Sequence, residues 1–160
     1  MINYIALVQL LLAAAYCFYI YKRYDVLYSI SSSYYKLLGD NRSRDFVIFT
    51  WSVGLPMFLY YQYVWQAQLC FMLAGFFLCV VGIASAYKES FVDKIHNLGS
   101  VGAIVLGFAG IVFQDHWWGL IPLVAFIIAS IYIWKKVDNK TWWVEVSALV
   151  TIFVRLIIKT

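Results

Sequence analysis

Charged residues are scarce in this chain, which holds eight acidic and twelve basic residues among 160. They make up 12% of the sequence, whereas soluble domains carry about 25%. Hydrophobic residues reach 64%, and a soluble fold of this length would leave roughly a third of its surface in water. The composition therefore indicates an integral membrane protein. The net charge of +4 is modest and the basic residues border apolar runs, so we expect no nucleic-acid partner.

Residues and motifs that carry common chemistries are also few. The chain has two histidines, and its three cysteines, Cys17, Cys70 and Cys79, lie in apolar runs without a C-x-x-C motif. The patterns G-x-x-x-x-G-K-S/T, G-x-G-x-x-G, H-E-x-x-H and G-x-S-x-G are all missing, which argues against the enzyme classes that use them. No ladder of charges crosses a predicted helix, which argues against a voltage sensor or a proton pump.

Six apolar segments approach the roughly 20 residues that an α-helix needs to cross a bilayer. They are residues 2–21, 46–63, 67–87, 97–113, 118–134 and 142–158. Very short turns join the second segment to the third and the fourth to the fifth, which predicts antiparallel helical hairpins. We therefore predict an all-α, polytopic bundle of six transmembrane helices, forming one domain over residues 1–160.

Basic residues are distributed unevenly among the predicted loops. Ten of the twelve fall in loops 1, 3 and 5: Lys22, Arg23, Lys36, Arg42, Arg44, Lys88, Lys94, Lys135, Lys136 and Lys140. Because cytoplasmic loops carry an excess of Lys and Arg, these three loops are predicted to be cytoplasmic and both termini to lie outside. We expect a multi-pass protein of the cell membrane, specifically of a bacterial inner membrane.

The first loop is the one long connection, and its apolar residues follow helical spacing. Those on one face are Val26, Ile30, Tyr34 and Leu37. The serines of the loop, including Ser29, fall on another face. We predict an amphipathic helix over about residues 25–38 that lies in the membrane interface. Its role is either to bridge the first two transmembrane helices or to contribute to a ligand site.

Two stripes of residues recur at helical spacing. Small residues, which let helix backbones approach closely in lipid, lie on the fourth predicted helix at Gly99, Ala103, Gly107 and Gly110. We predict that they form a packing face, with a hinge or a ligand groove as the alternative. Polar residues lie four apart on the sixth predicted helix at Ser147, Thr151 and Arg155. Because charges inside a span are expensive, this polar stripe is predicted to face a cavity, another helix or a partner chain.

Several polar groups reach the cytoplasmic side at one depth in this topology. They are Ser29 in loop 1, Asp93 and His96 before the fourth helix, and Glu145 near the start of the sixth. A histidine with carboxylates can bind a divalent metal or act as an acid–base pair. Catalytic zinc usually has three protein ligands, and this face offers one histidine, so a metal site would be rich in carboxylates. Structural roles are the alternative, since carboxylates stabilise the first turn of a helix.

Three stretches resemble a known group of membrane proteins. They are ISSSYYKLL followed by RDFVIFTW, then HNLGSVGAI, then WWVEVSAL. They are similar to six-helix proteins of the DRAM (damage-regulated autophagy modulator) type and to bacterial relatives of these. More distantly, they resemble the alkaline ceramidase and progestin/adipoQ-receptor hydrolases. The distant resemblance implies zinc-dependent hydrolysis of lipid amides, with Ser29, Asp93, His96 and Glu145 as the candidate residues.

Three hypotheses about function follow from these patterns. The leading one is a non-enzymatic membrane protein that binds a lipid, a membrane protein partner or a second copy of itself at the cytoplasmic leaflet. The alternative is a membrane-embedded hydrolase of lipid amides or esters that uses a divalent metal. A further alternative is a transporter or channel subunit whose path is lined by the polar stripe of the sixth helix.

Overall fold

The computed structural model describes residues 3–59, 64–84 and 90–158, with side chains described from residue 95 onward in the last range. Across these ranges the chain forms seven α-helices, two short 3-10 turns and no strand, which confirms the all-α prediction. The helices are α1 (Tyr4–Tyr24), α2 (Ser33–Gly39), α3 (Arg44–Gly54), α4 (Trp65–Ala84), α5 (Ser90–Asp115), α6 (Leu120–Lys136) and α7 (Lys140–Ile157). The 3-10 turns are Leu55–Leu59 and His116–Gly119.

Three helical stretches within the described residues are long and apolar enough to cross a membrane. They are Tyr4–Tyr24, Trp65–Ala84 and the 42-residue stretch Ile95–Lys136. The last of these reverses direction at His116, whose φ of 51° no α-helix can contain. Phe108 and Phe126 stack with their centroids 4.7 Å apart, whereas a straight helix would separate them by about 27 Å. The third stretch is therefore an antiparallel hairpin of α5 and α6.

The second predicted helix, residues 46–63, is divided in the structure. It begins as α3 at Arg44 and continues as a 3-10 turn from Leu55. Pro56 accounts for the change, because its ring removes a backbone N–H and collides with the preceding helical turn. Residues 60–63 of the prediction lie outside the described residues.

The predicted interfacial helix over residues 25–38 is much shorter in the structure. Only Ser33–Gly39 is helical, and residues 25–32 form bends and turns. In this segment the Ser32 hydroxyl bonds to the backbone N–H and carbonyl of Ser29, and the Ser29 hydroxyl accepts from the backbone N–H of Ser32. These bonds offer the chain an alternative to helical hydrogen bonds. Helix α2 buries Tyr34 and Leu37 against the bundle.

Glycines lie where neighbouring helices pack closely together. A Cβ added to Gly54 would lie 2.7 Å from the carbonyl oxygen of Gly75, so α3 and α4 cross backbone to backbone. On α5, a Cβ at Gly99 would lie 2.9 Å from Val81 of α4, and one at Gly107 would lie 2.7 Å from Ile152 of α7. Helix α5 therefore packs against α4 and α7 along the stripe of small residues.

The helices surround a central space. Helix α1 contacts α3 and α7, α4 contacts α3 and α5, and α7 contacts α5, which closes a ring of five. Helix α6 packs outside this ring against α7. None of the residues of α6, all within the described range, is buried, and Ile128 and Ile131 are more than half exposed.

The two ends of the bundle differ in charge. Loop 1 meets the turn between α6 and α7, since Asn139 Nδ2 donates to the Val26 carbonyl at 3.0 Å. We call this the loop-1 end. Basic residues there are Lys22, Arg23, Lys36, Arg42, Arg44, Lys135, Lys136 and Lys140. Arg155 lies at the opposite end, and the side chains of Lys88, Lys94 and Lys159 lie outside the described residues.

Candidate functional site

A cavity of about 80 Å³ lies at the centre of the ring, between α3, α4, α5 and α7. Its wall is mainly apolar and includes Phe46, Phe49, Val53, Val81, Ile104 and Ile152. An engineered apolar cavity of about 150 Å³ stays dry and binds benzene. This cavity, which is about half that volume and partly open, has room for a few methylene groups.

The polar residues that line the cavity are Ser31, Thr50, Ser100 and Glu145. Of these, Ser31 and Glu145 lie together where loop 1 meets α7, and we call this the polar end of the cavity. Glu145 lies in the second turn of α7, partly buried and on the face that α7 turns toward the ring. Its Oε2 accepts a hydrogen bond from the backbone N–H of Ile30 at 2.6 Å. A distance of 2.6 Å is short for an N–H···O hydrogen bond. Glu145 therefore ties loop 1 to α7 at the mouth of the cavity.

The segment 29–33, which we call the serine turn, is held by its own hydroxyl groups. Ser29 Oγ lies 3.0 Å from Ser31 Oγ and accepts from the Ser32 N–H at 3.0 Å. Ser33, which is fully buried, donates to the Ile30 carbonyl at 2.5 Å and lies 2.6 Å from the hydroxyl of Tyr16. These bonds fix the backbone of the turn so that the N–H of Ile30 points at Glu145.

Two backbone contacts join the same loop to the start of α7. The N–H of Trp142 donates to the Tyr28 carbonyl at 3.0 Å, and the Asn139 side chain donates to Val26. Asn139 has a φ of 53°, a left-handed conformation that Asn tolerates better than most residues. Trp142 is 3% exposed, so the turn before α7 is anchored by a large buried ring. The polar end of the cavity is thus a built structure rather than a free loop.

Two other carboxylates near the loop-1 end are paired with arginines. Asp45 Oδ2 lies 2.9 Å from Arg42 Nε, and Asp40 Oδ2 lies 2.8 Å from Arg23 Nη2. Hydrogen bonds from Tyr24 and Arg23 lower the pKa of Asp40. Glu145 has no basic partner among the residues that the structure describes.

The structure brings together only some of the predicted site residues. Ser29 directly precedes Ile30, whose N–H donates to Glu145, so Ser29 and Glu145 lie at the same end of the cavity. His96 lies partly buried near the start of α5, and the side chain of Asp93 lies outside the described residues. Within the described part of the chain, no three His, Cys, Asp or Glu side chains are close enough to hold a metal ion.

The residues of the polar stripe of the sixth predicted helix make different contacts along α7. Ser147 donates to the Val144 carbonyl of its own helix at 2.9 Å. Arg155 Nε lies 2.9 Å from Asp115 Oδ2 at the end of α5, and both side chains are largely buried. Arg155 therefore faces another helix, one of the three surroundings expected for the stripe, and Asp115 is a partner that the sequence patterns do not single out.

Several residues of the site carry little signal in the sequence. Tyr16 and Gln9 sit in an apolar run, yet Tyr16 bonds to the serine turn and Gln9 Nε2 donates to the Val53 carbonyl at 2.5 Å. Ser31 and Ser33 are visible only as members of a serine run. Polar residues spaced seven apart on α1, on its buried face, are the pattern that could have indicated them.

The hydroxyl groups of the serine turn are engaged in local hydrogen bonds. In the described part of the chain, the hydroxyls of the serine turn bond to one another, to the backbone and to Tyr16, and none bonds to a histidine or a carboxylate. A serine nucleophile needs an adjacent base within about 3 Å.

Comparison of the chain with protein-family models, curated proteins and solved structures gives no match.

Proposed function

We propose that this protein spans a membrane six times and binds a membrane lipid with a short segment of one acyl chain in its central cavity. The observation that carries the proposal is the composition of the cavity wall. The wall is mainly apolar, with Thr50 of α3 and Ser100 of α5 as isolated polar residues, and Glu145 and Ser31 line it where α7 meets loop 1. A lipid has the same order of groups, an apolar chain followed by a polar head. The head group would lie at the serine turn.

Helix lengths support six spans. Helix α3 and its 3-10 extension reach about 26 Å, and α7 reaches about 27 Å, which is close to the roughly 30 Å of a bilayer core. Large apolar side chains are exposed on the outer faces, among them Leu11, Phe76, Val105 and Ile128. The acyl chains of a bilayer would cover these apolar side chains, whose exposure to water would be unfavourable.

The charge difference between the ends supports an orientation with the loop-1 end in the cytoplasm. The basic residues of that end border helix termini, where the positive-inside rule places them on the cytoplasmic side. Both termini would then lie outside. The cavity's polar end would sit at the cytoplasmic leaflet, which in a bacterial cell is the inner leaflet of the inner membrane.

Native mass spectrometry of the purified protein, washed extensively in detergent, tests the proposal. The wild-type protein should retain about one phospholipid per chain. Ala148 is buried and lines the cavity, so Ala148→Leu should fill it and reduce the retained lipid at least tenfold. Val150 lies on the exposed side of the same helix, and Val150→Leu should retain lipid as the wild type does.

Two outcomes would contradict the proposal. One is a wild-type protein that retains no lipid under conditions in which it stays folded. The other is equal retention by Ala148→Leu and Val150→Leu. Release of a fatty acid from the bound lipid during incubation, if it were lost in Glu145→Gln, would support the hydrolase alternative instead.

A further inference from the structure

The Glu145 carboxylate has capacity for a further hydrogen-bond donor. An ionised carboxylate offers about four acceptor positions, and the described bond from the Ile30 N–H uses one of them. The side chain also lines the cavity, next to Ser31. A ligand in the cavity therefore meets an acceptor group at its polar end.

Among the described residues, Glu145 differs from the other partly buried carboxylates, Asp45 and Asp115, in having no cationic partner. Asp40, Asp45 and Asp115 each lie within 2.9 Å of an arginine nitrogen. Glu145 is not paired with any basic side chain of the described residues, although its surroundings are more apolar. An ionised carboxylate held away from water is costly, so it either takes up a proton or is stabilised by a counter-charge. A cationic group on the ligand would supply that counter-charge.

We propose that Glu145 selects a lipid whose head group carries a protonated primary amine, an ethanolamine phospholipid. This inference rests on the lipid-binding function proposed above. The ammonium group would donate to the free acceptor positions of Glu145 and to Ser31 Oγ. The phosphate beside it would lie toward the eight basic residues of the loop-1 end, where the potential is positive.

Other common head groups fit this end less well. A choline group is cationic but has no N–H to donate, so it cannot complete the hydrogen bonds of the carboxylate. A glycerol head group has hydroxyl donors but no positive charge, so it leaves the carboxylate without a counter-charge. Ethanolamine supplies both a positive charge and N–H donors. Within the described residues, Glu145 has the N–H of Ile30 as a donor but no positively charged partner.

Competition between lipids with identical acyl chains tests the inference. The full-length protein in detergent is given equal amounts of ethanolamine, choline and glycerol phospholipids, and bound lipid is measured by native mass spectrometry. The wild type should bind the ethanolamine lipid at least tenfold more than either of the others. Free ethanolamine, which has the amine but no acyl chain, should displace the lipid at least 100-fold less effectively than the ethanolamine lipid itself.

Glu145→Gln is the decisive variant, because its amide oxygen can still accept from Ile30 while its charge is lost. It should bind the three lipids within about twofold of one another. Asp138 is an exposed carboxylate at the same end, so Asp138→Asn is the matched control and should keep the tenfold preference.

The outcomes separate this inference from the function on which it rests. Lipid binding without preference in the wild type, or a preference that survives in Glu145→Gln, overturns the amine selection and leaves acyl binding in place. Displacement by free ethanolamine as strong as by the lipid overturns the choice of a lipid ligand. Absence of bound lipid of every kind overturns the lipid-binding function itself.

Discussion

Replacing Glu145 by glutamine and by methionine separates its hydrogen bond from its charge. Both replacements are neutral and similar in length, but only glutamine can accept the bond that Ile30 donates at 2.6 Å. In the methionine variant the N–H of Ile30 would be left without its partner in a partly buried turn. A buried donor without a partner costs about 1–3 kcal/mol. Glu145→Met should therefore be less stable than Glu145→Gln by about that free energy of unfolding.

Thermal unfolding in detergent measures this difference. For a protein of this length, 1 kcal/mol shifts the midpoint by about 2–4 °C, so the two variants should differ by roughly 2–12 °C. Both variants should be measured as lipid-free protein, because a bound lipid stabilises the folded state by mass action. Equal midpoints, or a methionine variant more stable than the glutamine variant, would refute the view that Glu145 holds the serine turn to α7.

Three further predictions concern other contacts. Arg155→Met and Asp115→Asn should each destabilise the protein by about 1–3 kcal/mol, and a thermal double-mutant cycle should show that the double variant loses less than the sum. The hydrogen bonds from Tyr24 and Arg23 lower the pKa of Asp40 and so stabilise the fold above the unfolded pKa of about 3.8. The stability advantage of the wild type over Asp40→Asn should therefore be constant near pH 7 and decrease as the pH falls below 3.8, as measured by unfolding between pH 7 and pH 3. Gly75→Ala should destabilise by about 1–3 kcal/mol because its Cβ would meet the α3 backbone, whereas Gly39→Ala, with nothing within 4 Å, should leave the unfolding midpoint within about 2 °C.

The sequence predicts the helices well because their signals are local. Runs of apolar residues near the length of a bilayer core indicate helices, and the described structure has helices in all six predicted segments. Most of their ends differ by a few residues, but α5 begins at Ser90 rather than at 97, and α3 ends at Gly54, where a 3-10 turn follows. The charged segment before residue 97 continues the helix, because polar residues can extend a helix past the apolar part of a span.

The contacts of the site depend on tertiary structure, and the sequence reveals fewer of them. Helical spacing in loop 1 predicts a helix through Ser29, but bonds between serine hydroxyls and the backbone make a turn there. The proximity of Ser29 and Glu145 follows from threading the chain across a bilayer, whereas the bond from Ile30 to Glu145 depends on the backbone conformation of that turn. The pairing of Asp115 with Arg155 likewise appears only when α5 and α7 lie side by side.

Photo-crosslinking tests the central claim, that a segment of an acyl chain occupies the cavity, most directly. The protein is placed in liposomes of a phospholipid that carries a diazirine in the middle of one acyl chain, and the labelled residues are mapped by mass spectrometry. Val53 and Ile152 line the cavity and are 1% and 5% exposed, so bulk lipid cannot reach them. Labelling of these two residues, lost in Ala148→Leu, is the predicted result. Labelling confined to lipid-facing residues such as Ile128 would contradict the account.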